Sequence, residues 1–484
     1  MNRINRLVSR LLLCAAACGI ALPSFAGEPE YGTLNTEAQH PDWVRNAVIY
    51  EVNLRQGTPE RTLAAMEKQL PRLQDLGVDI LWLMPIHPIS KLNRKGELGS
   101  YYAVADYKAV NPEFGSFDDL RSFVKTAHRL GMKVIIDEVC NHTGCDNVWV
   151  KEHPDFYARN EKGEMFGPFD WTDTYKLDYS NPQLRAAMID ALEYWVKEAD
   201  IDGYRCDVAG EVPTSFWEEA RARLDQIKPV FMLAEASKAE LTLRAFDADY
   251  NWPMKDAFNA VAATQGVNKY AVGHGQNLPE SNARTLTDLL LKQHRQYPQG
   301  AINMNMITNH DLNSWEGTEF DRFGEAVNTF AVLSYTLPGM PMMYTGQEVG
   351  WNHAFEFFKH DQVPVYKYNE YTAFYRMLNA LKHDNKALAA GVFNFTDINA
   401  GSDDVMAFQR TASGNEVTVI ANLSGKEQPL RLSVDASALS GATEWFSQEK
   451  VTALPATLSP WQYLVLVLSL IHISEPSRLR RISY

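Results

Sequence analysis

Long apolar runs are scarce in this chain of 484 residues, and the one that stands out, Leu11 to Leu22, lies at its N-terminus. Elsewhere the hydrophobic residues come in short stretches separated by charges, which excludes a polytopic membrane protein. Basic residues are in deficit as well. Against 60 Asp and Glu there are 46 Lys and Arg, a formal balance of −14, with no basic block in the body to compensate. Nucleic acid and anionic membranes are therefore poor candidates as partners, and a neutral substrate fits better. Cysteine is rare, five in all, and Cys14 and Cys18 belong to the N-terminal run, leaving Cys140, Cys145 and Cys206. Three cannot all pair; Cys140 and Cys145 are near enough in sequence for a local bridge, and buried thiols fit equally well. No Cys/His spacing of the zinc-binding kind occurs, and no Gly-rich phosphate loop follows an early strand, which argues against phosphoryl transfer.

The two ends read differently from the body. Arg3, Arg6 and Arg10 precede the apolar run, and Pro23 and Ser24-Phe25-Ala26 follow it, the pattern of a secretory signal peptide over residues 1–26. The expected location is therefore secreted or periplasmic, with no membrane partner after cleavage; lipid attachment at Cys18 is the alternative, weakened by the Ala at the position where Leu is usual. At the other end, Tyr463 to Val467 reads as a closing strand, and residues 468–484 resemble a translated adapter sequence, a non-native tail excluded from the fold. Between these ends the balance is 40 basic against 59 acidic residues, or −19.

From Asn46 to Gly346 one unit repeats: an amphipathic helix, a Gly or Asp-Gly turn, then a short run rich in Val, Ile, Leu and Met. Ser116 to Asp119 forms a capping-box pattern ahead of Leu120, Phe123, Val124, Ala127 and Leu130 at helical spacing, and Gly131 closes the helix. Asn181-Pro182 opens another helix with a cap and a first-turn proline. Buried-strand candidates fall near 47–52, 78–84, 132–139, 201–208, 230–235, 246–250, 302–307 and 341–345. Eight strands with intervening helices predict an α/β fold, a (β/α)8 TIM barrel over residues 27–390. A doubly wound open sheet is the alternative, and the missing phosphate loop counts against it. Residues 143–179, rich in aromatics such as Trp149, Phe169 and Trp171, are too long for a simple connection and read as a small inserted subdomain after strand 3. From 391 to 467 helical spacing gives way to alternation, which predicts a C-terminal antiparallel β-sandwich domain.

In such a barrel the chemistry sits at the C-terminal ends of the strands. Strand 3 ends Asp137-Glu-Val-Cys-Asn141-His142, strand 4 carries Gly203-Tyr-Arg205-Cys-Asp207, strand 5 ends at Glu235, and strand 7 leads into Asn309-His310-Asp311. Arg205 and Asp207, two apart on a strand, point inward together while Cys206 points toward the helices; Glu138, beside the inward Asp137, reads as an outward-facing ion-pair member. An Arg beside a carboxylate favours its ionised form, as a nucleophile requires. A second carboxyl in an aromatic-lined pocket supplies the acid for glycoside hydrolysis.

These strings, in this order, resemble the four signature regions of the α-amylase superfamily, glycoside hydrolase family 13. Gly99-Ser-Tyr-Tyr102, Val110-Asn-Pro-Glu-Phe-Gly115 and Leu177-Asp-Tyr-Ser-Asn-Pro182 extend the likeness over nearly the whole mature chain. The resemblance implies Asp207 as nucleophile, Glu235 as general acid/base and Asp311 as the carboxylate that binds sugar hydroxyls and distorts the ring. It further implies substrate contacts from Arg205, which supports Asp207, from His142 and His310 to hydroxyls, and from Tyr102 by stacking. The implied activity is retaining hydrolysis of α-glucosidic, mainly α-1,4, bonds in starch-derived malto-oligosaccharides or α-glucans. Transglycosylation or α-1,6 cleavage by the same site is the alternative, and a catalytically silent carbohydrate-binding barrel a remote one.

Two departures matter. Many α-amylases follow the nucleophile with Lys-His, whereas Asp207 is followed by Val208-Ala209-Gly210-Glu211, which leaves leaving-group recognition and strict α-1,4 preference open. Lys176 stands where the family often has a calcium-binding Asp, and an ammonium there can replace the ion electrostatically. No cofactor and no catalytic metal is expected, and calcium, for which Asn141 retains one ligand, is not expected to be obligatory.

Overall fold

A computed structural model describes residues 29–434 and 439–469; residues 1–26, read from the sequence as a signal peptide, and residues 470–484 of the segment read as a tail lie outside the described residues. The eight predicted strands form one closed parallel barrel: β1 (Ile49–Val52), β2 (Ile80–Leu83), β3 (Lys133–Glu138), β4 (Gly203–Cys206), β5 (Phe231–Ala234), β6 (Ala248–Tyr250), β7 (Ile302–Asn305) and β8 (Met340–Tyr344). Each strand pairs with its neighbours in sequence, and β8 closes on β1 through Ile49 opposite Met342.

Period-two alternation sorts each strand into two cores. Ile49, Ile80, Trp82, Ile135, Leu233, Tyr250, Met304 and Met342 fill the barrel interior, while Tyr50, Leu81, Val134, Ile136, Tyr204, Cys206, Met232 and Met343 meet the surrounding helices. Helix Phe117–Arg129 starts at the predicted capping box, with both reciprocal bonds between Ser116 and Asp119 in place. Helix Pro182–Glu198 starts under the Asn181 side chain, which accepts from the backbone of Gln183 and Leu184. Glu138 does point outward, but not to the surface. It is buried beneath the helices with its Oε2 3.4 Å from Nε2 of the equally buried His87, because the strand's outward face is the inner wall of the helical layer.

The long connection after β3 forms a short antiparallel ribbon, His142–Gly144 with Thr174–Lys176, carrying helix Val148–Glu152 between its strands. Cys140, Cys145 and Cys206 are all free and buried, so the local bridge left open by the sequence is not made. Beyond the barrel, β9 (Phe395–Asp397), β10 (Val405–Ala412), β11 (Asn415–Asn422), β12 (Thr443–Glu444) and β13 (Tyr463–Ser469) form an antiparallel sheet in the order β9-β10-β11-β13-β12. One face joins the main core through Met406, Phe408, Val417, Val419 and Val465. The other, with Val405, Ala407, Ile420 and Leu466, is covered by a second layer built on a two-stranded ribbon, Gln428–Pro429 with Thr457–Leu458. The closing strand runs two residues past the predicted limit: Leu468 and Ser469 pair with Glu416 and Asn415, since the alternation of Val465 to Leu468 continues in register with β11.

Candidate active site

Four strands converge on one guanidinium. Arg205, near the end of β4 and fully buried, places Nη1 2.8 Å from Asp137 Oδ1 and 2.9 Å from Asp207 Oδ1, while its Nη2 lies 3.0 Å from Glu235 Oε2. Its Nε donates to Tyr250 Oη at 3.2 Å, and the rings of Trp82, Tyr250 and Tyr102 surround the cation. One positive charge thus serves three carboxylates in a nearly dry site. Burial pushes Asp137 and Asp207 up to about 6 and Glu235 up to about 7, and Arg205 opposes the rise in each case. Arg205 favours the ionised form of Asp207 as expected, while desolvation and the nearby Asp137 raise its pKa against that pull. A carboxyl raised by burial at Glu235 is what a general acid needs.

The backbone between them is strained. Val208, directly after Asp207, sits at φ +40°, a left-handed conformation costly for a β-branched residue. That turn aims the Val208 N–H at Glu235 Oε2, 2.8 Å away, so the segment leaving the nucleophile fixes the acid. Asp311 lies in the first turn of helix His310–Trp315, whose cap is the Asn309 side chain, and its carboxylate is 40% exposed, the most open of the three acids. His310 is buried beside it, with Nε2 3.3 Å from Asp311 Oδ2 and 2.8 Å from Tyr102 Oη. The Tyr102 ring stacks on His310 and its hydroxyl donates to Asp137 Oδ2. His142 is buried with its Nε2 unbonded among the described residues; burial drops it to about 3, so it is a neutral imidazole able to meet a hydroxyl. Trp171, from the inserted ribbon, lies edge-on to it, and the exposed Phe169 extends that aromatic wall.

All seven residues marked from the sequence therefore gather at the C-terminal mouth of the barrel. Three neighbours went unmarked: Glu51 on β1, bonded to His310, and Trp82 and Tyr250, which frame Arg205. The signal for Glu51 was a lone acid inside the apolar run Ile49 to Val52, in phase with the inward Ile49. The neighbourhood of a family calcium site does not fit the ion. Lys176 stands opposite His142 in the ribbon, Asn141 turns its Nδ2 toward His142 Nδ1 at 3.4 Å, and no cluster of three or more His, Cys, Asp or Glu suited to a metal occurs among the described residues.

A closed (β/α)8 barrel with two or more carboxylates sharing one buried guanidinium, an aromatic frame and an inserted ribbon after β3 defines a glycosidase of the barrel class. Residues 55–389 match the family model described as alpha amylase, catalytic domain. The chain belongs to the α-amylase family of glycoside hydrolases. It is 26% identical to an alpha-amylase of Haloarcula japonica over 410 residues, which span 79% of this chain and 56% of that protein. It is 27% identical to neopullulanase 2 of Thermoactinomyces vulgaris, over 88% of this chain and 78% of the relative. Among solved structures, a noncanonic maltogenic alpha-amylase from Thermotoga neapolitana superposes with a TM-score of 0.75 at 29% identity, over 88% of this chain and 99% of that one.

Proposed function

We propose that this protein is a retaining hydrolase of α-glucosidic bonds, mainly α-1,4, in malto-oligosaccharides, with Asp207 as nucleophile and Glu235 as acid/base. The observation that carries the reading is the placing of both carboxyls against adjacent nitrogens of the Arg205 guanidinium, at 2.9 and 3.0 Å, which holds a nucleophile and an acid side by side as a double displacement needs. Relatives named for maltogenic and pullulan-cleaving activity support the substrate class.

In the first step Asp207 attacks the anomeric carbon, the bond to the glycosidic oxygen breaks, and Glu235 gives that oxygen its proton. Glu235, now a carboxylate, takes a proton from water, whose oxygen attacks the same carbon and releases Asp207, so configuration is retained. Arg205 stabilises the charge that alternates between the two carboxyls and is never consumed. Asp311, His310 and His142 hold the hydroxyls of the reacting sugar, and Tyr102 offers its ring. Export from the cytoplasm is part of the proposal and is supported by the arginine-flanked run at residues 1–26.

The test is product analysis on maltoheptaose and on panose, comparing wild type with Asp207→Asn. Wild type is expected to shorten maltoheptaose, and Asp207→Asn to leave it intact. Longer products at high substrate would assign transglycosylation to the same site, and cleavage of panose at its α-1,6 bond would redefine the linkage preference. Equal activity in Asp207→Asn would overturn the assignment.

A further inference from the structure

We propose that Glu51 is a positioning residue that keeps His310 doubly protonated, so that His310 presents an N–H and a positive charge to Asp311 and the substrate. The inference rests on the reading of this mouth as the sugar site, and it assigns a role to a residue outside the seven that line it.

The geometry is a directed chain. Glu51 Oε1 lies 2.5 Å from His310 Nδ1, and Glu51 Oε2 accepts from the His310 backbone N–H at 3.3 Å, so the carboxylate grips the residue twice. Both side chains are buried. On the far edge of the ring, Nε2 faces Tyr102 Oη at 2.8 Å and Asp311 Oδ2 at 3.3 Å. Asp137 decides what Nε2 must be. Its Oδ1 accepts from Arg205, and its Oδ2 accepts from Trp82 Nε1 at 3.2 Å and from the Tyr102 hydroxyl at 3.1 Å. A phenol has one proton, and of the two groups in reach, Asp137 Oδ2 and His310 Nε2, we assign it to the charged carboxylate as the stronger acceptor. Tyr102 can then only accept from His310, and the Asp311 carboxylate can only accept as well. A neutral ring with its proton on Nδ1 would point a lone pair at two acceptors; the imidazolium satisfies every contact.

The groups facing this ring are Glu51 from β1, Trp82 from β2, Tyr102 from the loop after β2, Asp137 from β3, Arg205 from β4 and Asp311 from its own helix. Burial and Arg205 disfavour the cation, and Asp311 and Glu51 more than offset them, raising His310 to about 9. Asp311 is partly hydrated, whereas Glu51 is the dry partner in direct contact, so its charge is the one that a substitution can remove cleanly.

Glu51→Gln keeps the shape and an acceptor for Nδ1–H but removes the charge. Without that charge, burial and Arg205 act against Asp311 alone and the His310 pKa falls, so a larger share of the rings is neutral at pH 7.5 than at pH 5.5. The expected result is a kcat/KM against maltoheptaose near that of wild type at pH 5.5 and several-fold below it at pH 7.5. A uniform loss across pH would mark a merely structural role and overturn the proposal. A second measurement needs no folded variant at position 51 and no activity: nitrogen NMR of 15N-histidine in the wild type, with His310 assigned by its loss in His310→Gln. An imidazolium persisting to pH 8 supports the proposal, and a ring already neutral at pH 7 overturns it. Because that spectrum is independent of substrate, it separates failure of this inference from failure of the proposed hydrolysis.

Discussion

Glu235→Gln should make the protein more stable, and more so as pH rises. In the unfolded chain this carboxyl ionises near its ordinary 4.5, whereas burial in the folded site holds its proton to about 7. The folded state therefore favours the protonated form. Stability contributed by that preference is fully present below pH 4.5 and is lost as pH climbs through 7, where the folded site must carry a second or third buried negative charge on one guanidinium. A shift of this size corresponds to a ceiling of about 3 kcal/mol above pH 7, at about 1.4 kcal/mol per unit. The Gln variant gives up the ion pair with Arg205 at 3.0 Å, and the Glu235 side chain is 16% exposed, so the expected net gain is about 1–2 kcal/mol. Calorimetry of wild type and variant at pH 5, 6, 7 and 8 checks it. The difference in Tm should be small at pH 5 and grow positive toward pH 8. A difference that is flat with pH, or a variant less stable at pH 8, would refute the claim that Glu235 is held protonated by burial.

Three further outcomes follow from the same site. Arg205→Met should cost about 3–5 kcal/mol at neutral pH, measured by thermal and urea unfolding, because it takes from Asp137, Asp207 and Glu235 the guanidinium they share; the loss should shrink at pH 5, where more of these groups are protonated. A chelator should leave both Tm and turnover unchanged, since Lys176 and the orientation of Asn141 do not fit calcium; a fall in Tm of several degrees would show a bound ion that contributes to stability. Val208→Gly should relieve the left-handed strain after the nucleophile and raise stability slightly while lowering kcat several-fold, as the N–H that fixes Glu235 becomes less well placed.

Much of this architecture was legible because the barrel writes itself into the sequence twice, once as helix caps and once as strand ends. Ser116 with Asp119 and Asn181 with Pro182 mark helix starts by local hydrogen bonding alone, and both helices begin there. Asp207, Glu235 and Asp311 stood out because a polar residue closing an apolar run at the mouth of a barrel has few structural reasons to be there. What escaped was inside the runs. Trp82 and Tyr250 looked like ordinary core, and their use as a frame for Arg205 depends on strands distant in sequence meeting across the barrel. Glu51 was hidden by the reverse: its partner His310 is 259 residues away, so no spacing could pair them. Glu138 was read correctly as outward, but alternation gives direction and not depth, and the helices that bury it with His87 are supplied by tertiary packing. The pKa of Asp207 was likewise out of reach, since it depends on how many carboxylates share Arg205 and how dry the site is.

The central claim is that Asp207 forms a bond to sugar, and trapping tests it most directly. Glu235→Gln supplied with α-glucosyl fluoride has a leaving group that needs no acid and lacks the base that activates water, so the intermediate should accumulate. Peptide mass spectrometry should then find one anhydroglucose unit on the peptide carrying Asp207, and none when Asp207→Asn is added. A sugar adduct on another residue, or fluoride release without any adduct and with inversion at the anomeric carbon, would contradict the account.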